Sequence, residues 1–339
     1  MYDFLVFIGR FQPFHVAHLA VIREALRQAR EVIVLVGSAG QSRNLRNPFT
    51  VDARMAMIRA CLTEDEKVRV HLQPLRDSLY DDDRWVEDVR TAVAIVLERS
   101  ARGSDSRVGL IGHDKDDTTY YLSLFPGWGS VPVDNIDAIS ATPLRTAYLL
   151  GDAVDESRFP EGALRFLQDF RQTKHWSELQ AEARFVREYK AAWNKAPYPP
   201  VFVTVDAVVV CNDHILLIER GGRPGVGQWA LPGGFLDQEE TLQSASLREL
   251  NEETCLEVPR ELLKASLAGV RAFDDPYRSV RGRTITHAFH YDLPVMPRLP
   301  AVNAADDARA AFWVPLSEVT PERMFEDHYH IIRVMTGRL

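Results

Sequence analysis

The chain has 339 residues, 46% of them hydrophobic and 26% charged, an ordinary globular balance with length enough for two compact cores. A formal net charge of −8 argues against a general nucleic-acid surface, although local basic pockets are compatible with it. Cys61, Cys211 and Cys255 are too few and too scattered for a disulfide framework or a cysteine zinc site. No secretory signal pattern opens the chain and no apolar run is long enough to span a bilayer, so a cytoplasmic protein without membrane or nucleic-acid partners is expected.

In chain order, residues 2–8 read as a buried strand and 18–29 as an amphipathic helix. Residues 31–36 form a second strand, ended by GSAG. Residues 50–62 form a helix with Thr50 as its N-cap, 68–72 a short strand, 84–99 a helix, and 108–112 a strand running into GHDKDD. Short apolar strands separated by helices predict an α/β unit with a parallel sheet, whose ligands bind beyond the carboxyl ends of the strands. GRFQPFH, GSAG and GHDKDD each follow a strand and should gather at that rim. Residues 176–193 are helical in period and highly charged, and NKAPYPP stops the helix with three prolines. A long strand (201–210) and the hairpin partner that turns at Asn212 and Asp213 open a second, α+β unit. The expected boundaries are 1–172, a connecting helix and proline-rich linker at 173–197, and 198–339.

In GRFQPFHVAH, Gly9 gives a phosphate access to the backbone, Arg10 offers a planar fork for phosphate oxygens, and His15 and His18 share one helix face near its N-terminus. Two histidines three apart are in isolation more often surface residues or part of a metal site. ISATPLR adds a second phosphate signature: Ser140 or Thr142 can cap a helix starting near Pro143, and Arg145 projects one turn into it.

Together with GSAG leading to NPFT, DARMAMI, DDDRWV and GHDKD, these stretches make the first half resemble the HxGH nucleotidyltransferases, more narrowly the archaeal-type nicotinamide mononucleotide adenylyltransferases, with Ala17 in place of the superfamily glycine. The resemblance implies a Rossmann-like domain that joins nicotinamide mononucleotide to ATP, with Mg²⁺, giving NAD and pyrophosphate. It implies His15 and His18 on the transferring and adjacent phosphates. Arg10, Ser140 and Arg145 would hold the triphosphate, with Gly9, Phe11 and Thr142 also lining the substrate. Trp85 would stack on the nicotinamide ring or else pack its helix. Asn47 and Arg54 would touch nucleotide or brace their loop. Asp114 and Lys115 would meet nucleotide or metal.

The second half carries its own pattern. Gly234, Glu240 and RELNEETCL from Arg248 resemble the Nudix box at every fixed position but one, where Cys255 replaces a glycine. Glu249, Glu252 and Glu253 fall on one helix face, where they repel one another unless a divalent cation such as Mg²⁺, or Mn²⁺ in its place, is bound. Arg248 can pair with Glu240 and brace the loop, and Gly233 and Gly234 allow a tight turn at the substrate. Cys255 is expected in a left-handed C-cap, at about 1 kcal/mol relative to glycine. DDPYRSVRGRTITHAFHY resembles ADP-ribose-hydrolysing Nudix proteins, and chains pairing these two domains resemble bifunctional NAD-metabolism enzymes. ATP, nicotinamide mononucleotide, NAD and ADP-ribose are the implied partners. Arg278, Arg281 and Arg283 either meet phosphate or ribose or form a solvated hairpin, and His328 either faces the site or packs its helix. A Nudix domain acting on another nucleoside diphosphate, or only sensing ADP-ribose, and a homo-oligomer, are left open.

Overall fold

The computed structural model describes residues 1–100, 106–113, 124–133, 139–306 and 308–339, which fall into two compact units, Met1–Gln180 and Ala181–Leu339. In the first unit the elements run β1 (Tyr2–Gly9), α1 (Val16–Gln28), β2 (Ala29–Val36), α2 (Val51–Ala60), α3 (Glu64–Arg69), β3 (Val70–Pro74), α4 (Asp82–Leu97), β4 (Val108–His113), β5 (Gly129–Val133), α5 (Ala141–Leu150) and α6 (Glu161–Phe170). The strand order is β3-β2-β1-β4-β5, and every pairing is parallel. The chain winds outward from β1 through β2 to β3, then returns to place β4 on the other side of β1. That reversal opens a crevice at the carboxyl ends of β1 and β4. Phe4, Val6, Ile33 and Leu35 bury against Val89, Val93 and Val96 of α4, as apolar strands covered by crossover helices require.

Local chemistry moves several boundaries. Helix α1 starts two residues before the expected position 18, with His15 at its N-cap. The six-residue α3 occupies the start of the strand expected at 68, because Thr63 and Glu66 form a capping box that nucleates it. Helix α4 begins at Asp82, where Asp81 accepts from the Arg84 N–H at 3.1 Å. Helix α5 begins at Ala141 with Ser140 at its N-cap, which puts Pro143 in its first turn.

In the second unit, after helix α7 (Lys174–Ala192, divided between the two units), come β6 (Val201–Cys211), β7 (His214–Arg220), β8 (Trp229–Ala230), β9 (Gly233–Phe235), α8 (Leu242–Thr254), α9 (Arg260–Ala265), β10 (Leu267–Phe273), β11 (Arg283–Asp292), β12 (Ala308–Pro315) and α10 (His328–Thr336). The sheet is mixed, in the order β10-β11-β6-β7-β12, with β8 on β7 and β9 on β6. Strands β6 and β11 are parallel; β6 and β7 form the expected hairpin, with Asn212 and Asp213 at φ 48° and 58°. Val205, Ala207 and Val209 of β6 bury against Leu247 and Leu250 of α8, which fixes the other side of α8 toward β9. No helix among the described residues is long and apolar enough to cross a membrane.

Candidate active sites

The first site lies where β1 ends. The His18 Nδ1 accepts from the His15 backbone N–H at 3.3 Å, which in the neutral ring places the proton on Nε2 and leaves it a donor. The two rings stack with centroids 3.6 Å apart, so the pair acts as one unit at the start of α1. His15 is 4% exposed, and aromatic neighbours hold His18: Phe11 edge-on at 4.9 Å and Phe14 stacked at 5.6 Å.

Phe11 and Gly9 differ from expectation. Phe11, at φ 52°, folds its ring back over Gly9, where a Cβ would stand 2.8 Å from the ring. The glycine makes room for phenylalanine rather than for phosphate. Phe11 is 1% exposed, so its side chain supports His18 instead of lining the substrate.

Arg145, expected at the triphosphate, and Arg54, expected at nucleotide or as a loop brace, both bond loop carbonyls. Arg145 donates from Nη1 to the Gln12 carbonyl (2.7 Å), from Nε to the Leu45 carbonyl (3.0 Å) and from Nη2 to the Thr142 hydroxyl (3.4 Å). Arg54 donates to the carbonyls of Arg10, Gly37 and Ser38. Both guanidinium groups come down to about 10, chiefly through burial; Asp77 opposes and Arg10 assists this at Arg54, and Arg10 and Arg46 assist it at Arg145. These three acceptors of Arg145 are neutral oxygens, whereas Asp77 acts on Arg54. Cationic groups converging under burial favour an incoming polyanion.

Ser140 occupies the N-cap of α5 without a side-chain cap bond, and Thr142 serves Arg145 instead. Asn47 is 9% exposed, and its Oδ1 is buried with no hydrogen-bond partner among the described residues. Trp85 packs on the α4 core, edge-on to Phe125 at 6.1 Å. Asp114 and Lys115 lie outside the described residues. Gln12 was missed by sequence reasoning. It is 1% exposed, and its amide bonds both the N–H and the carbonyl of Phe49, tying the GRFQPFH loop to the 44–49 loop. A lone amide among Phe11, Pro13 and Phe14 was the available signal.

The second site forms where α8 faces β9. Gly234 leaves off a Cβ that would strike the Glu249 carboxylate, and Gly233 leaves one off beside the Val205 carbonyl. The Gly233 N–H donates to Glu253 Oε2 at 2.9 Å. Arg248 braces the loop: Nη2 and Nε pair with Glu240 at 2.6 and 3.1 Å, and Nη2 also reaches the Phe235 carbonyl. Its Nη1 bonds both Glu249 and Glu252 at 2.9 Å. Burial raises Glu253 to about 8, with Glu249 adding repulsion, and burial raises Glu249 as well. Among the described residues the side chains do not converge as a ready cage of three metal-ligating groups, since Arg248 holds two of the glutamates. The donor set nonetheless fits a hard divalent cation: carboxylate oxygens, mutually repelling, with Glu253 bonded to the Gly233 N–H and reached by Arg220 only through its charge among the described residues. Cys255 adopts the expected left-handed C-cap, φ 43° and ψ 40°.

Beneath the loop, Arg278 is bidentate on Asp327 at 2.9 Å for both bonds and is thereby committed to the interior rather than to phosphate. Arg283 donates to the Asp274 carbonyl. His328, 6% exposed, accepts the Leu231 N–H on Nδ1 at 3.0 Å and holds the loop leading to Gly233. Its Nε2 faces Asp206 Oδ1 at 3.9 Å. Asp206 was missed, although it is the single charged residue in the apolar run of β6.

Family models described as cytidylyltransferase-like and NUDIX domain match residues 6–114 and 201–335. The nicotinamide/nicotinic acid mononucleotide adenylyltransferase of Acinetobacter baylyi is 46% identical over 184 residues, 54% of this chain and 94% of that protein. The ADP-ribose pyrophosphatase of Methanocaldococcus jannaschii is 34% identical over 160 residues, 47% of this chain and 84% of that protein. A crystal structure of a bifunctional NMN adenylyltransferase/ADP ribose pyrophosphatase from Francisella tularensis, complexed with AMP and manganese, superposes with a TM-score of 0.92 at 38% identity over 99% of both chains.

Proposed function

The chain belongs to the family of proteins that join a cytidylyltransferase-like domain to a NUDIX domain, and from that premise we propose that it makes one pyrophosphate bond and breaks another. The first unit transfers the adenylyl group of ATP to nicotinamide mononucleotide, giving NAD and pyrophosphate. The second hydrolyses ADP-ribose to AMP and ribose 5-phosphate. The observation that carries the reading is end-to-end similarity to one two-domain enzyme, with cationic groups and donor histidines in one pocket and paired buried carboxylates in the other.

In the first pocket the acceptor phosphate is already an oxyanion, so catalysis is positioning and charge stabilisation. His18 Nε2–H donates to the phosphorus-bound oxygens as charge accumulates, and His15 backs it. Arg10 holds the triphosphate, with Ser140 and Asn47 as further contacts. Arg54, Arg145 and Gln12 act through the loops they hold. In the second pocket Glu249, Glu252 and Glu253 would hold Mg²⁺, or Mn²⁺ in its place, which when bound neutralises the diphosphate and lowers the pKa of water. Arg248 keeps Glu240 and the β9 turn against α8, and Gly233 orients Glu253. The proposed functional segments are 1–172, 173–197 and 198–339, with the division between the compact units, after Gln180, inside the middle one. The test is direct: ATP with nicotinamide mononucleotide and Mg²⁺ should yield NAD, and ADP-ribose with Mg²⁺ should yield AMP. A preparation that adenylates only other acceptors, or leaves ADP-ribose intact, contradicts the corresponding half.

A further inference from the structure

The three arginines before β11 separate by their bonding. Arg278 is spent on Asp327 and Arg283 on the Asp274 carbonyl. Arg281 differs: its Nε is buried without a hydrogen-bond partner among the described residues, and its guanidinium lies 5.0 Å over the ring of Phe235. A shielded guanidinium N–H without an acceptor is unfavourable unless a ligand brings one. Phe235 directly follows Gly234, the residue whose missing Cβ admits Glu249, so Arg281 borders the carboxylates.

From Phe235 an aromatic run leads away from them. Phe202 meets Phe235 edge-on at 5.8 Å; the two share a sheet face, because Phe235 pairs with Thr204, two residues along β6. Trp193 meets Phe202 edge-on at 5.2 Å, and Tyr189 lies 6.0 Å from Phe202. Gly282 sits against this run, where a Cβ would come within 3.1 Å of Phe202. Yet Trp193 is 43% and Phe235 37% exposed, which leaves ring surface open rather than sealed in a core. Ring faces plus a buried guanidinium N–H without an acceptor, on an arginine whose charge also acts on Glu326, match one ligand chemistry: a planar nitrogenous base carrying a phosphate.

We propose that Tyr189, Trp193, Phe202 and Phe235 form the stacking surface for the base of the nucleoside diphosphate substrate, and that Arg281 anchors that nucleotide's phosphate. The inference rests on the hydrolase reading of the second unit and adds the residues that select its nucleotide half. It also gives segment 173–197 a part in that site, since Tyr189 and Trp193 come from it.

The test uses the full chain and ADP-ribose hydrolysis, with AMP and ribose 5-phosphate as separate product inhibitors, so that only the second site is read. In Trp193→Ala and Phe235→Leu, KM for ADP-ribose and the AMP inhibition constant should each rise about tenfold, as loss of one base-stacking contact gives. The kcat should stay within about twofold and ribose 5-phosphate inhibition should not move, because the contact precedes the bond-breaking step. Arg281→Gln should weaken inhibition by AMP but not by adenosine. If AMP inhibition is unchanged in Trp193→Ala, whose half-exposed side chain makes folding robust, the rings merely pack the helix and the proposal is overturned. A wild-type protein that binds AMP competitively against some other diphosphate but spares ADP-ribose would overturn the hydrolase reading while leaving the stacking surface in place.

Discussion

At the scale of the residue, both pockets depend on protons placed by backbone contacts. The His15 N–H donates to His18 Nδ1, which in the neutral ring puts the proton on Nε2, the atom that the proposed reaction uses. His18→Ala should lower adenylyl transfer about 100-fold or more, the loss typical of one oriented donor at a developing charge. Steady-state kinetics checks it: kcat should fall more than KM for ATP rises. A rise in KM alone would make His18 a ground-state contact. His328 is buried neutral, its ring brought from 6.5 down to about 3, first by burial and then by Arg278, Arg220 and Arg281, against the pull of Asp327. The folded ring therefore refuses a proton that the unfolded one accepts. Stability from this residue is complete above 6.5 and drains as pH falls from 6.5 toward 3, at up to about 1.4 kcal/mol per pH unit. Melting temperature should accordingly drop between neutral and acidic pH, and drop less steeply in His328→Gln. Equal slopes in the two proteins would show that other groups carry the acid sensitivity.

At the scale of the element, α8 shows what spacing alone conveys. Three glutamates at helical intervals put the carboxylates on one face, and the sequence is enough to see it. That Glu253 is fastened to the Gly233 N–H, and Glu252 turned to Arg248, depends on a loop and a side-chain choice that no period encodes. Arg54 and Arg145 show the same limit more strongly. Their acceptors stand up to 133 positions away along the chain, so the loop contacts of these guanidinium groups could not be read from the motifs that hold them. The short α3 was hidden because it has no buried face, although its Thr63–Glu66 capping pair was in plain sight. The parallel sheet followed from the alternation of strands and helices; the order of its strands came only with the structure. One residue of α8 was legible down to its torsion: Cys255 closes the helix at φ 43°, a region that costs a side chain about 1 kcal/mol. Cys255→Gly should relieve that strain, partly offset by the wider freedom of glycine when unfolded, for a net gain of about 0.5 kcal/mol. Chemical denaturation checks it, and a destabilised variant would mean that the exposed thiol makes a compensating contact.

At the scale of the whole molecule, one chain would build a pyrophosphate linkage in one unit and cleave one in the other, and NAD itself contains such a linkage. The arrangement is useful only if the second pocket spares the first pocket's product. ADP-ribose and NAD share the adenylate half and differ at the far ribose, so discrimination must come from beyond the base-stacking surface. The chemistry of the two sites has no residue in common: donors and cations around His18, carboxylates around Glu253. His18→Ala should therefore abolish NAD formation and leave ADP-ribose cleavage intact, while Glu253→Gln should remove cleavage and leave NAD formation intact. Glu253→Gln keeps the shape and an acceptor for the Gly233 N–H, so its loss of activity isolates the charge that a divalent cation needs. Manganese should raise the melting temperature of the wild type and not of Glu253→Gln, a readout independent of turnover. In a mixture of NAD and ADP-ribose with Mg²⁺, the wild type should consume the second at least about 100-fold faster, a discrimination within reach of a pocket that leaves buried polar groups unpaired for the wrong substrate. Parallel consumption of both would mean the two units oppose each other, and both activities falling together in either variant would mean that the sites are not separate.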